Sequence, residues 1–338
     1  MSRDNGSQGF IKKGNGAESC MGSDLNIVCL GGGTGLPNLL RGLKPYSNYI
    51  TAIVTMADDG GSSGVIRSEL KMPPPGDIRN CLLALAYTEP LMERLFQYRF
   101  SSGTLKGHSF GNLFIAAMTE MLGNFELAIK ESSKILAVKG TVLPSTLEDV
   151  VLEAVYEDGD VVRGQSFITH SQKRISQVML RPADAKPLDE ALEAIEKADL
   201  IVLGPGSLYT SLIPNLLVKD ITEAIVRSKA KKVYVVNVMT QPGETPDYKA
   251  SDHVKAVIKH SHPNVMEYVI INTGEIPEEV LARYKAEGST YVECDKEVIE
   301  AMGYKVVTES VVNTANVAHH HPEKLSQAIM KLVYENSN

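Results

Sequence analysis

A short apolar run that enters a glycine-rich loop is the feature that most constrains this chain. Residues 27–30 are apolar, residues 31–35 read Gly-Gly-Gly-Thr-Gly, and residues 36–43 have helical spacing. Glycine lets backbone N–H groups approach an anion closely, and the partial positive charge at the start of the following helix points to the same place. The loop therefore predicts a phosphate site whose candidate contacts are Gly32, Gly33, Thr34 and Gly35.

Two well-known phosphate-binding patterns do not fit this first loop. The dinucleotide fingerprint requires a glycine where this chain has Leu36, and the P-loop requires a Lys-Ser/Thr pair where it has Pro37 and Asn38. Taken alone, the loop is also compatible with a tight turn between a strand and a helix in an α/β core.

A second glycine loop favours the functional interpretation. An apolar run at 200–203 enters the polar, glycine-containing stretch 204–211, and helical spacing follows over 212–227. The loops that follow parallel strands gather at one edge of the sheet, and ligands bind where the strand order reverses. We therefore expect both loops to line one crevice. The candidate contacts in the second loop are Gly204, Gly206, Ser207, Tyr209 and Thr210.

Apolar runs alternate with helical periodicity along most of the chain. This alternation predicts an α/β fold with a doubly wound sheet. A small β-rich insertion is predicted at about 141–182, with a hairpin of 150–156 and 161–167 followed by a strand at 175–180. The main strands are predicted at 25–30, 50–56, 200–203, 232–238, 267–272 and 304–310.

Composition narrows the class of protein. The net charge of −7 and the absence of a basic cluster argue against nucleic-acid binding, and no apolar run is long enough to span a membrane. The four cysteines are isolated in sequence, which predicts neither a zinc ribbon nor a disulfide framework. Residues 1–23 lack the apolar core of a signal peptide and are predicted to be a disordered N-terminal extension. We expect a cytoplasmic protein.

Asp58 and Asp59 lie in a glycine- and serine-rich stretch, 57–64, directly after a predicted strand. Their carboxylates are suited to bind a ribose hydroxyl or a Mg²⁺ ion on a diphosphate. An Asx turn in which Asp58 caps a helix is an equal alternative.

Two further polar segments open predicted helices. Asp77 suits an N-cap or first-turn position, and Arg79 and Asn80 follow it in the same turn, where a guanidinium can bind a phosphate. His108 is a candidate acid or base, although a histidine at a helix start is more often a hydrogen-bond partner. Asn112 is suited to read a base or sugar edge, or to pack against the first glycine loop.

The last polar segment, 237–245, leaves the predicted strand at 232–238. Its candidate ligand contacts are Thr240 and Gln241, because the ends of parallel strands carry the ligand in such sheets. A capped entry to the next helix is compatible with the same residues.

Six of these segments occur in consistent order and together resemble the YvcK-type gluconeogenesis factor family, over about 24–335 of the chain. The family is related to the 2-phospho-L-lactate transferases, or CofD-like proteins, which move a phospholactyl group from a guanosine diphosphate carrier onto a deazaflavin precursor. The segments are 31–35, 57–64, 74–80, 107–112, 204–211 and 237–241.

The resemblance implies a ligand class more than a reaction. It implies a Rossmann-like, mainly parallel sheet in three layers that forms a single nucleotide-binding domain over 24–338. It further implies binding of a UDP-sugar such as UDP-N-acetylglucosamine, and a role in gluconeogenic growth, cell shape and cell-wall precursor supply. By the same resemblance, Tyr284 contributes an aromatic face for uracil, and His320 stands where relatives have an arginine. Histidine lacks the permanent charge and forked donors of arginine. Three consecutive histidines, 319–321, rarely converge on one metal ion.

Two classes of function follow from these residues and the resemblance. The first is a non-catalytic sensor with no obligatory cofactor that binds a nucleotide-sugar and acts on a cell-wall synthesis protein, with self-association as a further option. The second is a Mg²⁺-dependent transferase that uses a nucleotide-diphosphate donor, with Asp58 and Asp59 as metal ligands. NAD or another diphosphate nucleotide would also suit the glycine loops. We favour the sensor, mainly because the resemblance is to the gluconeogenesis factor branch, and also because the sequence has no assembled nucleophile and base.

Overall fold

The computed structural model describes residues 23–171, 173–314 and 318–334. The extension expected at 1–23 thus lies outside the described residues, apart from its last residue. Within the described ranges, no helix combines the length and the apolar character needed to cross a bilayer.

The described strands fall into a large parallel sheet and two small antiparallel ones. The six main strands predicted from the sequence are confirmed, with small shifts at their ends. The strands are β1 (Ser23–Gly31), β2 (Ser47–Val54), β3 (Thr141–Pro144), β4 (Val151–Tyr156), β5 (Val161–Arg163), β6 (Ile175–Arg181), β7 (Leu200–Leu203), β8 (Lys231–Val235), β9 (Tyr268–Asn272), β10 (Lys305–Glu309), β11 (Val312–Asn313) and β12 (His319–His320).

Helices fill most of the intervals between these strands and flank the parallel sheet. They are α1 (Gly35–Leu43), α2 (Gly61–Leu70), α3 (Gly76–Leu85), α4 (Pro90–Gln97), α5 (Phe110–Leu122), α6 (Phe125–Ile135), α7 (Gln165–His170), α8 (Asp189–Lys197), α9 (Ile213–Leu216), α10 (Lys219–Arg227), α11 (Ala250–His260), α12 (Glu278–Ala286), α13 (Lys296–Ala301) and α14 (Pro322–Tyr334).

The parallel sheet has the strand order β10-β9-β8-β7-β1-β2-β3. The first described strand, β1, lies in the middle of this sheet. The chain runs outward from it to β2 and β3, and then returns to add β7 on the other side of β1. Strands β7 and β9 are buried along their whole length, as expected where helices cover both faces of a sheet. The strand order therefore reverses between β1 and β7, which is the place where open α/β sheets bind their ligands. The predicted Rossmann-like α/β class is confirmed.

The small antiparallel sheet has the order β5-β4-β6 and covers Val151 to Arg181. The segment Thr141–Pro144, predicted as part of the insertion, instead pairs with β2 at the edge of the parallel sheet. The predicted strand at 161–167 is too long, because Gly164 has a φ of 99° and the chain then turns into α7. That left-handed backbone ends β5 after Arg163.

Helix α1 packs against α14 with no room for a side chain at Gly42, where an added Cβ would overlap the carbonyl oxygen of Pro322. We expect Gly42→Ala to lower the free energy of unfolding by about 1–3 kcal/mol, because the helices must separate. Without this contact, alanine would stabilise a helix by roughly 1 kcal/mol relative to glycine. Urea unfolding followed by circular dichroism tests the sign, with alanine at the exposed Glu120 of α5 as the control. A stabilised Gly42→Ala protein would contradict the close packing.

Candidate functional site

The two glycine loops lie against each other at the reversal point of the sheet. A Cβ on Gly35 would lie 2.6 Å from the carbonyl oxygen of Pro205, and a Cβ on Gly206 would lie 3.1 Å from that of Gly32. Asn215, which sequence reasoning missed, is fully buried and donates from Nδ2 to the carbonyl oxygens of Gly31 (3.0 Å) and Ser211 (2.8 Å). A single asparagine inside a predicted helix gave no signal of this role.

A cavity of about 610 Å³, here called the main cavity, opens beside the paired loops. Its wall combines both loops, the segment after β8, helix α12 and strand β12. Of the residues predicted from the sequence as ligand contacts, the structure brings seven to this cavity. They are Thr34, Gly35, Gly206, Ser207, Thr240, Gln241 and Tyr284.

Neutral hydrogen-bonding groups connect the second glycine loop to the segment after β8. Gln241 donates from Nε2 to Ser207 Oγ at 2.8 Å, and Asn237 donates from Nδ2 to Gln241 Oε1 at 3.4 Å. Thr240 instead holds the segment between α12 and α13, since its Oγ1 accepts from the backbone N–H of Thr290 at 2.8 Å. Ser207, Gln241 and Asn237 are half-buried, so they can exchange partners with a ligand.

The buried carboxylate of Glu244 fixes the second glycine loop through hydrogen bonds. Glu244 is 2% exposed; it accepts from the backbone N–H of Tyr209 at 3.0 Å and from Thr210 Oγ1 at 2.7 Å. Burial raises the pKa of Glu244. Tyr209 and Thr210 were predicted as ligand contacts, but both are buried outside the cavity wall, and the Tyr209 hydroxyl bonds that of Tyr248 at 2.8 Å.

The same carboxylate explains where the second helix begins. The helix predicted over 212–227 is divided into a π-helical turn, Leu208–Leu212, followed by α9 and α10. Glu244 satisfies N–H and hydroxyl groups in the first turn of this segment, so the helix starts earlier than its apolar spacing indicates. Gly204 supplies the sharp turn before it, with a φ of 76°, and does not line the cavity.

An aromatic and a histidine side chain form the opposite wall. Tyr284 is half-buried against an apolar cluster that includes Val238 and Val280, and its hydroxyl donates to the carbonyl oxygen of Ala318 at 3.3 Å. His320 is buried with its Nε2 3.1 Å from the carbonyl oxygen of Val236, and burial lowers its pKa to about 4. His320 is therefore neutral at pH 7 and brings no positive charge to the cavity.

In the first half of the first glycine loop, the protein's own Asp77 carboxylate lies where a ligand anion was expected. Gly33 donates its backbone N–H to Asp77 Oδ2 at 2.8 Å, and a Cβ on Gly32 would lie 2.6 Å from the same oxygen. Asp77 stands in the first turn of α3, as predicted. Burial, with a smaller contribution from Asp58, raises its pKa to about 6. Gly32 and Gly33 thus face Asp77, whereas Thr34 and Gly35 face the cavity.

Asp58 and Asp59 have separate backbone partners. Asp58 Oδ1 accepts from the N–H of Gly60 at 3.0 Å, which is the Asx turn kept as an alternative, and burial raises its pKa. Asp59 Oδ1 accepts from the N–H of Ser166 at 2.8 Å and so holds the first turn of α7. Across residues 23–171, 173–314 and 318–334, no three or more His, Cys, Asp or Glu side chains form a group that could hold a metal ion.

The remaining predicted contacts lie in a separate group, here called the arginine cluster. It consists of the predicted residues Arg79, Asn80, His108 and Asn112 together with Ser62 and Ser109. Arg79 donates to Ser109 Oγ from Nη1, and to Asn80 Oδ1 from Nη2 at 2.7 Å. His108 Nδ1 and Asn112 Nδ2 lie 3.1 and 3.2 Å from Ser62 Oγ. Of these, sequence reasoning missed Ser62 and Ser109 as site residues. None of the six lines the main cavity.

Comparisons with known proteins agree with this architecture. The family model of 2-phospho-L-lactate transferase CofD matches residues 27–312. A gluconeogenesis factor of Bacillus subtilis is 50% identical over 317 residues, covering 93% of this chain and 100% of that protein. A gluconeogenesis factor of Halalkalibacterium halodurans is 50% identical over 308 residues, covering 90% of this chain and 96% of that protein.

A solved structure has the same fold. The crystal structure of a UPF0052 family member from Bacillus halodurans superposes with a TM-score of 0.88 at 50% identity, over 90% of this chain and 99% of that one. Together with the family model and the two relatives, this likeness covers the parallel sheet and both glycine loops. The chain belongs to the gluconeogenesis factor family, within the wider family of CofD-like proteins.

Proposed function

We propose that this protein binds a UDP-sugar, UDP-N-acetylglucosamine, in the main cavity and acts as a regulatory protein rather than as an enzyme. The observation that carries the proposal is the cavity of about 610 Å³ beside the two glycine loops at the reversal point of the sheet. Its volume lies within the range of about 300–1,000 Å³ that is usual for small-molecule sites.

The wall chemistry suits each part of such a ligand. The backbone N–H groups at Thr34 and Gly35 open the nine-residue helix α1, whose positive end favours a diphosphate. Thr34 is exposed and makes no side-chain cap bond, so its hydroxyl is available to a phosphate. Ser207 and Gln241 offer donors and acceptors to a sugar, and the Tyr284 ring offers a face to uracil.

The relatives' name supports a role connected with gluconeogenesis. For regulation, the nucleotide-sugar must bind one conformation or complex of the protein better than another. We propose a cell-wall synthesis protein as the partner, which would couple precursor supply and cell shape to the carbon source.

A Mg²⁺-dependent transferase is the second candidate, favoured by the match to the 2-phospho-L-lactate transferase family. In that case Asp58 and Asp59 would hold Mg²⁺ on the diphosphate of a nucleotide-activated donor. When bound, the metal would neutralise charge on the leaving diphosphate. The separate backbone partners of the two carboxylates weigh against their acting together in the present arrangement.

Titration calorimetry with UDP-N-acetylglucosamine, UDP-glucose, GDP and NAD, with and without Mg²⁺, tests both candidates. We expect selective binding of the UDP-sugars and no product by mass spectrometry. Tyr284→Ala should weaken UDP-sugar binding roughly tenfold or more, since base stacking contributes about 1–3 kcal/mol. Tyr284→Phe keeps the ring and should bind within about twofold of the wild type, because the hydrogen bond of the hydroxyl goes to the protein's own Ala318 carbonyl oxygen. Conversion of the ligand, or selective GDP binding, would overturn the sensor in favour of the transferase.

A further inference from the structure

A cavity of about 560 Å³, here called the second cavity, shares helix α7 with the main cavity. Thr169 lines the main cavity, whereas Ser166 and Phe167 line the second one, and no residue lines both. The rest of the second wall comes from parts of α2 and of the segments 71–74 and 147–151, with Met56 and Asp59. A volume of this size lies within the range of about 300–1,000 Å³ that is usual for small-molecule sites.

Large apolar side chains line the second cavity and are partly open to solvent. Phe167 is 68% exposed and Leu147 is 40% exposed, although burial of such side chains is favourable. Met56, Met72 and Pro74 are buried in the same wall. An apolar group of a ligand would cover Phe167 and Leu147 and remove their surface from water. The second cavity therefore suits a ligand with an apolar part.

Five charged side chains also line the second cavity, and two of them neutralise each other. Arg67 forms an ion pair with Asp149 and also donates to the carbonyl oxygen of Val150 at 2.6 Å. The other three charged residues are Asp59, Lys71 and Glu148. Within residues 23–171, 173–314 and 318–334, none of these three has an ion-pair partner.

Asp59 and Glu148 accept hydrogen bonds from backbone N–H groups instead of pairing with cations. Asp59 Oδ1 accepts from the N–H of Ser166 at 2.8 Å, and Glu148 Oε1 accepts from the N–H of Lys186 at 2.7 Å. Both carboxylates are half-buried, where charge interactions are screened less than at full exposure. They therefore favour a cationic group on a ligand, whereas the exposed Lys71 favours an anionic group.

These charges and apolar side chains together define a ligand class. We propose that the second cavity binds a free α-amino acid with an apolar side chain. Its ammonium group would pair with Asp59 and Glu148, its carboxylate would pair with Lys71, and its side chain would pack against Leu147 and Phe167. An apolar amine would leave Lys71 without a partner, and an apolar acid would leave both carboxylates without one, so a zwitterion complements the wall best. The site lies outside the main cavity and does not depend on the proposed function.

L-Phenylalanine is the probe for the test, titrated calorimetrically into the full chain at about pH 6, below the pKa of an α-amino group. Two analogues each lack one charge: L-phenylalaninamide has no carboxylate, and N-acetyl-L-phenylalanine has no ammonium group. We expect L-phenylalanine to bind about fivefold more tightly than either analogue, the gain usual for one partly exposed ion pair.

Three variants locate the bound probe in the second cavity. Glu148→Gln keeps an oxygen for the Lys186 N–H; it should weaken L-phenylalanine binding about fivefold and leave N-acetyl-L-phenylalanine binding unchanged. Lys71→Gln should weaken L-phenylalanine binding about threefold and leave L-phenylalaninamide binding unchanged. Phe167→Ala should weaken the binding of all three probes about fivefold, because each has the same ring.

Matched controls replace exposed residues of the same type outside the second cavity. They are Glu120→Gln in α5, Lys130→Gln in α6 and Met121→Ala in α5, which should all bind L-phenylalanine as the wild type does. Tyr284→Ala, in the main cavity, should also bind it with wild-type affinity.

The proposal would be overturned by any of four results. These are no binding of L-phenylalanine to the wild type at millimolar concentration, equal binding of the three probes, wild-type affinity for L-phenylalanine in any of the three second-cavity variants, and weakened binding in Tyr284→Ala. A failure of UDP-sugar binding would overturn only the proposed function, because no probe in this test is a nucleotide.

Discussion

Replacing Asp77 with asparagine is expected to raise the free energy of unfolding at pH 7.5 by about 2–3 kcal/mol. Asparagine has the same shape and its side-chain oxygen can still accept the Gly33 N–H, but it carries no charge to bury. The folded protein holds the pKa of Asp77 at about 6, mainly through burial, against 3.8 for the unperturbed group. Folding therefore disfavours the ionised form of Asp77 relative to its protonated form.

The stability difference between Asp77→Asn and the wild type should depend on pH. Because the folded-state pKa is raised, the contribution of Asp77 to stability is fully present below pH 3.8 and is lost as the pH rises through about 6. The difference between variant and wild type should thus be small near pH 4 and grow to its full size by pH 7.5. Urea unfolding at pH 4, 5, 6 and 7.5 measures it.

Asp24→Asn, at an exposed position of β1, provides the control and should change stability little at any of these pH values. A difference between Asp77→Asn and wild type that stays constant with pH would mean that the charge of Asp77 is not the cause.

Glu244→Ala is expected to destabilise the protein by about 2–4 kcal/mol, because each buried donor left without a partner costs about 1–3 kcal/mol. The two donors are the Tyr209 N–H and the Thr210 hydroxyl. Loss of the buried charge offsets part of this cost, since burial already disfavours the carboxylate. The variant should also bind UDP-N-acetylglucosamine at least tenfold more weakly, because the turn that presents Ser207 loses its support.

Glu244→Gln separates hydrogen bonding from charge. Its amide oxygen can accept from the Tyr209 N–H while its nitrogen donates to Thr210 Oγ1, so both contacts survive. We expect stability within about 1 kcal/mol of the wild type and nearly unchanged UDP-sugar binding. Urea unfolding and calorimetry on the three proteins provide the comparison. A glutamine variant as damaged as the alanine variant would show that the negative charge itself is required.

The place of Asp77 also divides the first glycine loop by role. Gly32 and Gly33 face the protein's own carboxylate, whereas Thr34 and Gly35 border the cavity. A ligand phosphate would therefore meet the second half of the loop, at the start of α1. Displacement of Asp77 from Gly33 would open the first half to a ligand.

The sequence alone was sufficient for six of the seven strands of the parallel sheet and for the meeting of the two glycine loops. Apolar runs such as 200–203 are local signals, and parallel strands bring the loops that follow them to one edge. The same local signals misjudged the ends of elements at Gly164 and Leu208. At those places a left-handed backbone and a distant carboxylate set the boundary, and neither is visible in hydrophobic periodicity.

The partners of the polar residues were decided by the tertiary structure. Asp77 bonds a glycine 44 residues away, and Asp59 bonds a backbone N–H 107 residues away. The same sequence pattern, a polar stretch after a strand or before a helix, thus has different outcomes. Gln241 lines the cavity, Glu244 supports the second glycine loop from inside the protein, and Arg79 has a buried Nε without a hydrogen-bond partner. The sequence determined which chemistry is available at the sheet edge. Only the packing of distant segments decided which groups are satisfied internally and which are left for a ligand, because hydrogen bonds and charges depend on distances in space.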